Sequence, residues 1–254
     1  MQLAEMTWPM VDALSRDVPV VIPIAAVEQH GHHLPVYTDS YLLGEIVRRV
    51  SVVHEGEALF CPLQWLGNSD HHMDFVGTVS ARPRTYLDLL RDLGGNWLRH
   101  GFKRIVFING HGGNDVPGKQ AVFELRQEHR ERRDLLLLMA TYWGLGSNGV
   151  PDTDALTFVQ NEMGHACEWE TSMMLALNSS LVGSYQYADP VAPGNAFLPA
   201  SRGWTTRDRS APGHIGVPQA ASAKKGEVLF SKFSSEVSSL LDRVIAWDGQ
   251  SWEG

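Results

Sequence analysis

The chain has 254 residues, of which 43% are hydrophobic and 20% are charged, so it can bury a sizeable core without disulfides or lipid. Its net charge of -8 argues against a nucleic-acid partner, because binding a phosphate backbone needs a basic face. The two cysteines, Cys61 and Cys167, do not make a disulfide framework, and the sequence shows neither a signal-peptide pattern nor an apolar run long enough to span a bilayer. We therefore expect one domain over residues 1–254, a cytoplasmic location and no membrane partner.

The hydrophobic pattern predicts that strands and helices alternate along the first part of the chain. A nearly continuous, β-branched run at Val18–Ala26 is typical of a strand that is covered on both faces. The elements predicted after it are a helix that begins near Asp39, a strand at Ala58–Trp65, a helix at Thr85–Arg99, a strand at Lys103–Ile108, a helix at Pro117–Arg132 and a strand at Leu135–Tyr142. This alternation predicts an α/β fold with a parallel sheet and helices on both of its faces.

The second part of the chain is less regular. The pattern predicts a helix at Trp169–Leu177 and a closing amphipathic helix at Ala220–Trp247, which we expect to be broken near Gly226. Between them, Tyr185–Gly216 is rich in Pro, Gly, Ser and Arg and predicts a long loop with little regular structure. Such loops are uncommon in compact domains unless they form lids or subunit contacts.

Polar clusters follow the predicted strands at the edge where parallel sheets bind their ligands. The clusters are Glu28–His33, Ser69–His72, Asn109–Asn114 and, further along the chain, Gly164–Glu170. Eight of the eleven histidines, counting His214 in the late loop, lie in or next to these segments, which independent surface histidines would not do. Each cluster by itself is more often a loop whose side chains bond to nearby backbone groups, but the combination of all of them at one edge favours a site.

The first cluster has the residue types of a metal site. Glu28 and His30 are two residues apart, so in an extended chain both side chains point to the same side. Asp39 lies at the predicted start of a helix, where the free N–H groups favour a carboxylate that can bridge two cations. Imidazole and carboxylate ligands suit zinc, manganese or iron.

These residues resemble the signature of the creatininase (creatinine amidohydrolase) family. The segments that carry the resemblance are Glu28–Asp39, Phe75–Thr78, Asn109–Asn114, His165–Ser172 and, more weakly, Gly216–Gly226. The resemblance runs from about Val18 to about Gly226 and implies a three-layer α/β/α fold with a mainly parallel sheet. It also implies two divalent metal ions, zinc or manganese with iron as a further option, and closed homo-oligomers such as hexamers.

The resemblance implies a division of the metal ligands. Glu28 and His111 would bind one metal ion and His30 the other, with Asp39 bridging the two. The sequence therefore predicts that side chains from three separate turns converge above the sheet.

The resemblance also implies a further ligand and a proton carrier. The creatininases have a glutamate two residues after the histidine of the Asn-Gly-His motif, where this chain has Gly113. We expect Glu168 to replace that ligand, with Glu170 as the alternative. His165 would give a proton to the leaving group, helped by Glu170.

The sequence thus predicts a metal-dependent amidohydrolase that cleaves a C–N bond of a small polar substrate, a cyclic amide or a formamide, through a metal-bound hydroxide. Gly113 argues against creatinine itself. The alternatives are a peptidase or a keto-sugar hydrolase of the same family, which includes a peptidase of mycofactocin maturation, or a non-catalytic metal-binding homologue. Arg202, Arg207 and Arg209 would favour an anionic or polyhydroxylated substrate if they face the pocket.

Several other polar and aromatic residues have two interpretations each. His33, His71 and His72 suit either contacts to ligands and substrate or hydrogen-bonded loop positions. Trp143 either overhangs the pocket or belongs to the core. Cys167 has acidic neighbours that would raise its pKa, so we expect a packed thiol.

Overall fold

The computed structural model describes residues 1–145 and 157–252, and within them four strands form one parallel sheet. The strands are β1 (Val20–Ile24), β2 (Leu59–Phe60), β3 (Arg104–Asn109) and β4 (Leu136–Thr141). Their order across the sheet is β2-β1-β3-β4, so β1 and β3 are central. The predicted parallel sheet is confirmed, and the carboxyl ends of β1 and β3 meet in register where Ile24 pairs with Asn109.

The predicted strand Ala58–Trp65 is wrong in length, since β2 covers only its beginning. Cys61 still donates to the carbonyl oxygen of Val21 over 2.9 Å, but the next hydrogen bond would need an N–H at Pro23 of β1, which proline lacks, so the ladder stops there. The chain meets β1 again only at Gln64, whose N–H donates to the carbonyl oxygen of Pro23 over 2.9 Å. A hydrophobic run therefore predicted the place of this strand but not its end.

Seven α-helices surround the sheet within the described residues. They are α1 (Trp8–Asp12), α2 (Thr38–Val53), α3 (Pro83–Arg99), α4 (Asp115–Glu128), α5 (Glu168–Asn178), α6 (Thr206–Arg209) and α7 (Ala223–Ala246). The predicted helices that correspond to α2, α3, α4 and α5 are confirmed with small shifts of their ends. None of the helices within residues 1–145 and 157–252 is long and apolar enough to cross a bilayer.

The side chains of the sheet alternate between two hydrophobic clusters. Val21 of β1 and Val106 of β3 point to one face, where they pack with α2, α5 and α7. Val20, Ile22 and Ile105 point to the other face, where they pack with α3 and α4. Both faces of the central strands are thus buried, as their continuous apolar sequence requires. The fold is a three-layer α/β/α arrangement.

The closing helix α7 runs unbroken through Gly226, so the predicted break is wrong. The glycine has a packing role instead: a Cβ at this position would overlap the carbonyl oxygen of Ser172 in α5. Its absence lets the two helices approach closely. The helix begins after Ser222, whose side-chain oxygen accepts the N–H of Lys225 over 3.3 Å.

The late segment Tyr185–Gly216 has little regular structure, as predicted, apart from the single turn of α6 and a 3₁₀ turn at its start. Its end is tied down, since Ile215 and His165 exchange backbone hydrogen bonds of 2.7 and 2.9 Å. The segment therefore lies against the strand ends that carry the polar clusters.

Candidate metal centre

Three buried side chains from separate turns meet beyond the carboxyl ends of β1 and β3. Glu28 follows β1, His111 follows β3, and Asp39 lies in the first turn of α2. The Nδ1 atom of His111 lies 3.3 Å from Oε2 of Glu28 and 3.0 Å from Oδ2 of Asp39. The predicted convergence of these three residues is therefore present in the structure.

The two carboxylate oxygens that face His111 fit a bound cation. Oε2 of Glu28 and Oδ2 of Asp39 are buried, and neither makes a hydrogen bond of normal geometry within the described residues. A buried carboxylate oxygen without a partner is costly, and a cation between the two oxygens would remove that cost. The donor set of carboxylates and imidazole suits zinc or manganese.

Backbone carbonyl groups fix the orientation of the two central imidazoles. A carbonyl oxygen can only accept, so Nε2 of His111 donates to Asn68 over 2.9 Å and Nδ1 of His30 donates to the carbonyl of Glu28 over 3.1 Å. In the neutral imidazole the other nitrogen of each ring is free of its proton and faces the carboxylates. Histidines that bind metal ions are commonly held in this way.

A second position lies beside the first, around His30. Its Nε2 atom lies 3.1 Å from Oδ1 of Asp39 and 3.6 Å from Oε1 of Glu170. His30, His165 and Glu170 each offer a ligand atom, and these atoms lie within 4.8 Å of one another. Asp39 presents one oxygen to each position, so the structure places it between two possible cations.

The turn before α5 brings His165 and Glu170 to this second position. Ala166, between the two, has a φ of 46°, a left-handed conformation that is unusual for a residue with a side chain. Oε2 of Glu170 accepts the N–H of Cys167 over 3.4 Å at the start of α5, which leaves Oε1 directed at His30. The helix start therefore aims this carboxylate into the cluster.

The structure does not bring Glu168 to the cluster, which corrects the ligand that we expected from the sequence. Its Oε1 atom pairs with Nζ of Lys225 at 2.5 Å. Its Oε2 atom accepts the N–H groups of Val159 and Gln160 over 2.9 and 2.8 Å. Both oxygens of this fully buried carboxylate are thus used. Glu170, the alternative from the sequence, is the acid that faces His30.

The pair His71 and His72, left open by the sequence, lies at the cluster. Nε2 of His72 is 3.2 Å from Oε1 of Glu28, and its Nδ1 accepts the side-chain N–H of Gln29 over 2.8 Å, with the hydroxyl oxygen of Thr206 2.9 Å from the same nitrogen. The imidazole of His71 lies beside that of His111, with parallel rings 5.7 Å apart. Sequence reasoning overlooked Gln29, although it lies inside the first motif.

His33 lies outside the cluster. Its Nε2 atom forms a hydrogen bond with the hydroxyl of Thr171 over 3.0 Å. Burial and the nearby imidazole of His214 lower the pKa of His33 to about 4. Burial also raises the pKa of the Cys167 thiol to about 12, which confirms the packed thiol.

The acids and imidazoles of the cluster shift one another's pKa values. Burial would raise the pKa of Glu28, but the imidazoles of His111 and His72 hold that pKa well below its usual value. Burial would lower the pKa values of His30 and His111, but the adjoining carboxylates raise both well above the usual value. Protons and divalent cations therefore compete for the same buried positions. By contrast, burial and the charge of His30 lower the pKa of His165.

A cavity of about 1280 Å³ opens above the cluster. Trp143, Trp204, Arg202 and Arg209 are among the residues that line it. Arg209 stacks on Trp204 with 4.5 Å between the guanidinium carbon and the ring centre, and neither arginine has a carboxylate partner within the described residues. Arg207 points elsewhere and covers the ring of Phe75.

Comparisons with known proteins agree with this geometry. Residues 4–241 match the family model Creatininase, described as creatinine amidohydrolase. The mycofactocin precursor peptide peptidase of Mycobacterium ulcerans (strain Agy99) is 30% identical over 95% of this chain and 86% of the relative. The creatinine amidohydrolase of Pseudomonas putida is 28% identical over 89% and 90%.

Solved creatininase structures share the fold. A mutant creatininase of the Zn-Zn type superposes with a TM-score of 0.80 at 25% identity and covers 97% of this chain and 98% of its own. A creatininase described with Mn has a TM-score of 0.80 at 26% identity, with coverages of 97% and 99%. Related structures are thus known in zinc and manganese forms.

Proposed function

Because the chain belongs to the creatininase family, we propose that it is a metal-dependent amidohydrolase that cleaves a C–N bond of a small polar substrate. The observation that supports this most directly is the pair of buried oxygens of Glu28 and Asp39 that face Nδ1 of His111 and accept no hydrogen bond of normal geometry within the described residues. Buried carboxylate oxygens that accept no hydrogen bond would destabilise a purely structural core. It is a suitable binding site for divalent cations.

We assign five ligands to two cations. Glu28 and His111 would hold the first, His30 and Glu170 the second, and Asp39 both, one oxygen to each. Zinc and manganese suit this donor set, and iron also accepts it. Glu170 replaces Glu168 in this assignment because it alone of the two faces His30.

The chemistry follows from what the protein groups can do around that centre. Bound divalent cations would supply the positive charge that makes a water molecule acidic near neutral pH and polarises a carbonyl group. His165 donates its Nε2 proton to the carbonyl of Gln29 over 2.7 Å and directs Nδ1 at the cluster. Its lowered pKa keeps that nitrogen free to take a proton from water and pass it to the departing nitrogen atom.

The cavity wall supports a substrate that carries a negative charge. Arg202 and Arg209 line the cavity, and no carboxylate within the described residues pairs with either. Guanidinium groups bind carboxylates through paired hydrogen bonds. We infer that the amide lies over the acidic floor while an anionic group of the substrate reaches this wall. Arg209→Ala should then raise KM for an anionic amide but not for its neutral amide analogue.

A second candidate is hydrolysis of a peptide bond. The mycofactocin precursor peptide peptidase is similar over nearly the whole chain, and a cavity of about 1280 Å³ has room for several residues of a peptide. A free peptide C-terminus would also satisfy the two arginines. Short peptides therefore belong in the substrate screen beside cyclic amides, formamides and keto-sugars.

Metal analysis and a substrate screen test the proposal together. The purified protein should hold two divalent ions per chain, and the zinc- or manganese-loaded form should hydrolyse at least one amide of the screen. His30→Ala and Asp39→Ala should lose metal and activity, whereas His100→Ala, at an exposed position, should keep both. Unchanged metal content and activity in the first two variants would overturn the proposal. Full metal content without any activity would favour a non-catalytic homologue.

We further propose that residues 1–254 form one domain that assembles into a homo-oligomer, for which a hexamer is the first candidate. The two hydrophobic clusters share one sheet, which supports a single domain. Tyr187, Phe197 and Leu198 in the late segment and Val76 expose most of their side chains, which supports a subunit contact there. Light scattering coupled to size exclusion measures the assembly, and a monomer would refute it.

We propose a reducing compartment, the cytoplasm, for this protein. Both cysteines are free, and burial raises the pKa of each thiol to about 12. Fractionation of the source cells with an antibody against the chain checks the location. Recovery outside the cytoplasm would contradict it.

A further inference from the structure

One imidazole at the cavity floor has no role in the ligand assignment above. His71 lies in the 3₁₀ turn Asp70–His72 and lines the cavity. Its ring lies nearly parallel to that of His111, at an angle of 11° and a centroid distance of 5.7 Å. Neither of its ring nitrogens has a hydrogen-bond partner within the described residues. The edge of Trp204 covers one side of the ring, at a centroid distance of 5.0 Å.

The chain around Gly113 leaves the space beside His111 to this imidazole. A Cβ at position 113 would lie 2.8 Å from Cε1 of His71 and 2.5 Å from Nε2 of His111, and it would overlap the carbonyl oxygen of Asn68. All three contacts are too short for a real side chain. Position 113 therefore cannot direct a side chain at the cluster, and the ring of His71 lies next to that of His111 there.

The nitrogen atoms of His71 are within reach of the first cation position. One ring nitrogen of His71, one of His111 and a carboxylate oxygen of Glu28 lie within 4.8 Å of one another. Three atoms at such separations can bind one ion after small side-chain movements, since zinc–ligand distances are about 2.0–2.2 Å. Glu28 and Asp39 supply two negative charges to the ion, and a neutral second imidazole would complete four ligands.

We propose that His71 is an additional ligand of the cation held by Glu28, Asp39 and His111. The proposal rests on the metal-dependent function above and adds one residue to its centre. A ring in this position could instead contact only substrate. The two roles differ in what they do to metal binding, which does not need a substrate to be known.

Cobalt binding to the whole protein separates these roles. The metal-free wild-type chain is titrated with Co²⁺ alone, and the visible absorption and the dissociation constants are recorded with a competing chelator. The wild type should bind two ions. His71→Ala should keep one tight ion, bind the other at least about 10-fold more weakly, and show altered visible bands, because a ligand is lost. His100→Ala, at an exposed histidine, is the control and should match the wild type.

Two further measurements guard against a folding defect. Added imidazole should restore the visible bands and the affinity of His71→Gly, and His71→Glu should retain both ions because a carboxylate also binds zinc and cobalt. Two tight ions and an unchanged spectrum in His71→Ala would overturn the inference. So would weakened binding that neither imidazole nor glutamate restores. Failure of the wild type to bind two ions would instead refute the proposed function.

Discussion

The buried ion pair between Glu168 and Lys225 allows a test of whether Glu168 stabilises the fold, as we propose, or binds metal, the role that we assign to Glu170. The side chain of Glu168 is fully buried and that of Lys225 is 10% exposed, with Nζ 2.5 Å from Oε1. Lys225 also donates to the carbonyl of Ala220 over 2.7 Å. The pair ties α7 to the start of α5. Removal of either partner therefore leaves a buried charge without a counter-ion.

The expected cost is large for a single pair. At this separation and an effective dielectric constant of about 20, the attraction is roughly 7 kcal/mol, most of which is offset by desolvation of the two charges. Loss of one partner of a buried pair typically costs about 3–5 kcal/mol. We expect Glu168→Gln and Lys225→Met each to lower the free energy of unfolding by that amount. For a chain of this length, such a loss lowers Tm by roughly 10 °C.

Urea unfolding of the metal-free and metal-loaded protein measures both effects. Glu168→Gln should lose stability but keep two ions, and the double variant Glu168→Gln/Lys225→Met should recover part of the loss. Lys119→Met removes an exposed pair with Asp115 and should cost less than about 1 kcal/mol. The reasoning fails if Glu168→Gln loses an ion while Lys225→Met keeps full stability, since Glu168 would then act as a ligand.

Three further predictions follow from burial and close packing. Gly226→Ala should lower the free energy of unfolding by about 3 kcal/mol or more because its Cβ would overlap a carbonyl oxygen of α5. Cys167 should resist alkylation in the native protein at about pH 8, where a thiol of ordinary pKa reacts. In the metal-free protein, His30 and His111 have raised pKa values, so their contribution to stability is full below the unfolded value and is lost as pH rises through the folded values. Urea unfolding should therefore show a metal-free protein whose free energy of unfolding falls as the pH rises above about 6.5, the pKa of histidine in the unfolded chain.

Each of these predictions has its own control. Gly95→Ala, whose nearest neighbour would be 3.7 Å away, should stabilise α3 by up to about 1 kcal/mol, and equal effects at the two glycines would contradict the packing argument. Urea should expose Cys167 to the alkylating reagent; rapid labelling without urea would show that the thiol is not buried. Bound cations should abolish the loss of stability at high pH. A free energy of unfolding of the metal-free protein that increases with pH would contradict the raised pKa values of His30 and His111.

Most of the fold could be predicted from hydrophobic periodicity. Alternation of apolar runs and amphipathic segments predicted three of the strands and the helices around the sheet, because burial on both faces requires that pattern. The predicted bounds of elements were wrong where a missing backbone N–H or close packing between helices determines the structure. Pro23 of β1 lacks the N–H that would extend the pairing with β2, and Gly226 permits an unbroken helix to approach α5.

The sequence by itself determined that acids and imidazoles follow the strands, and so that Glu28, Asp39 and His111 meet at one edge of the sheet. Strand ends converge by topology, whatever the loops do. Only the tertiary structure shows that Glu170, and not Glu168, faces the cluster. The two glutamates lie on the same turn of α5. They differ because α7 places Lys225 beside Glu168, where it pairs with that carboxylate. Such a contact joins residues 57 positions apart, and no local pattern in the chain records it.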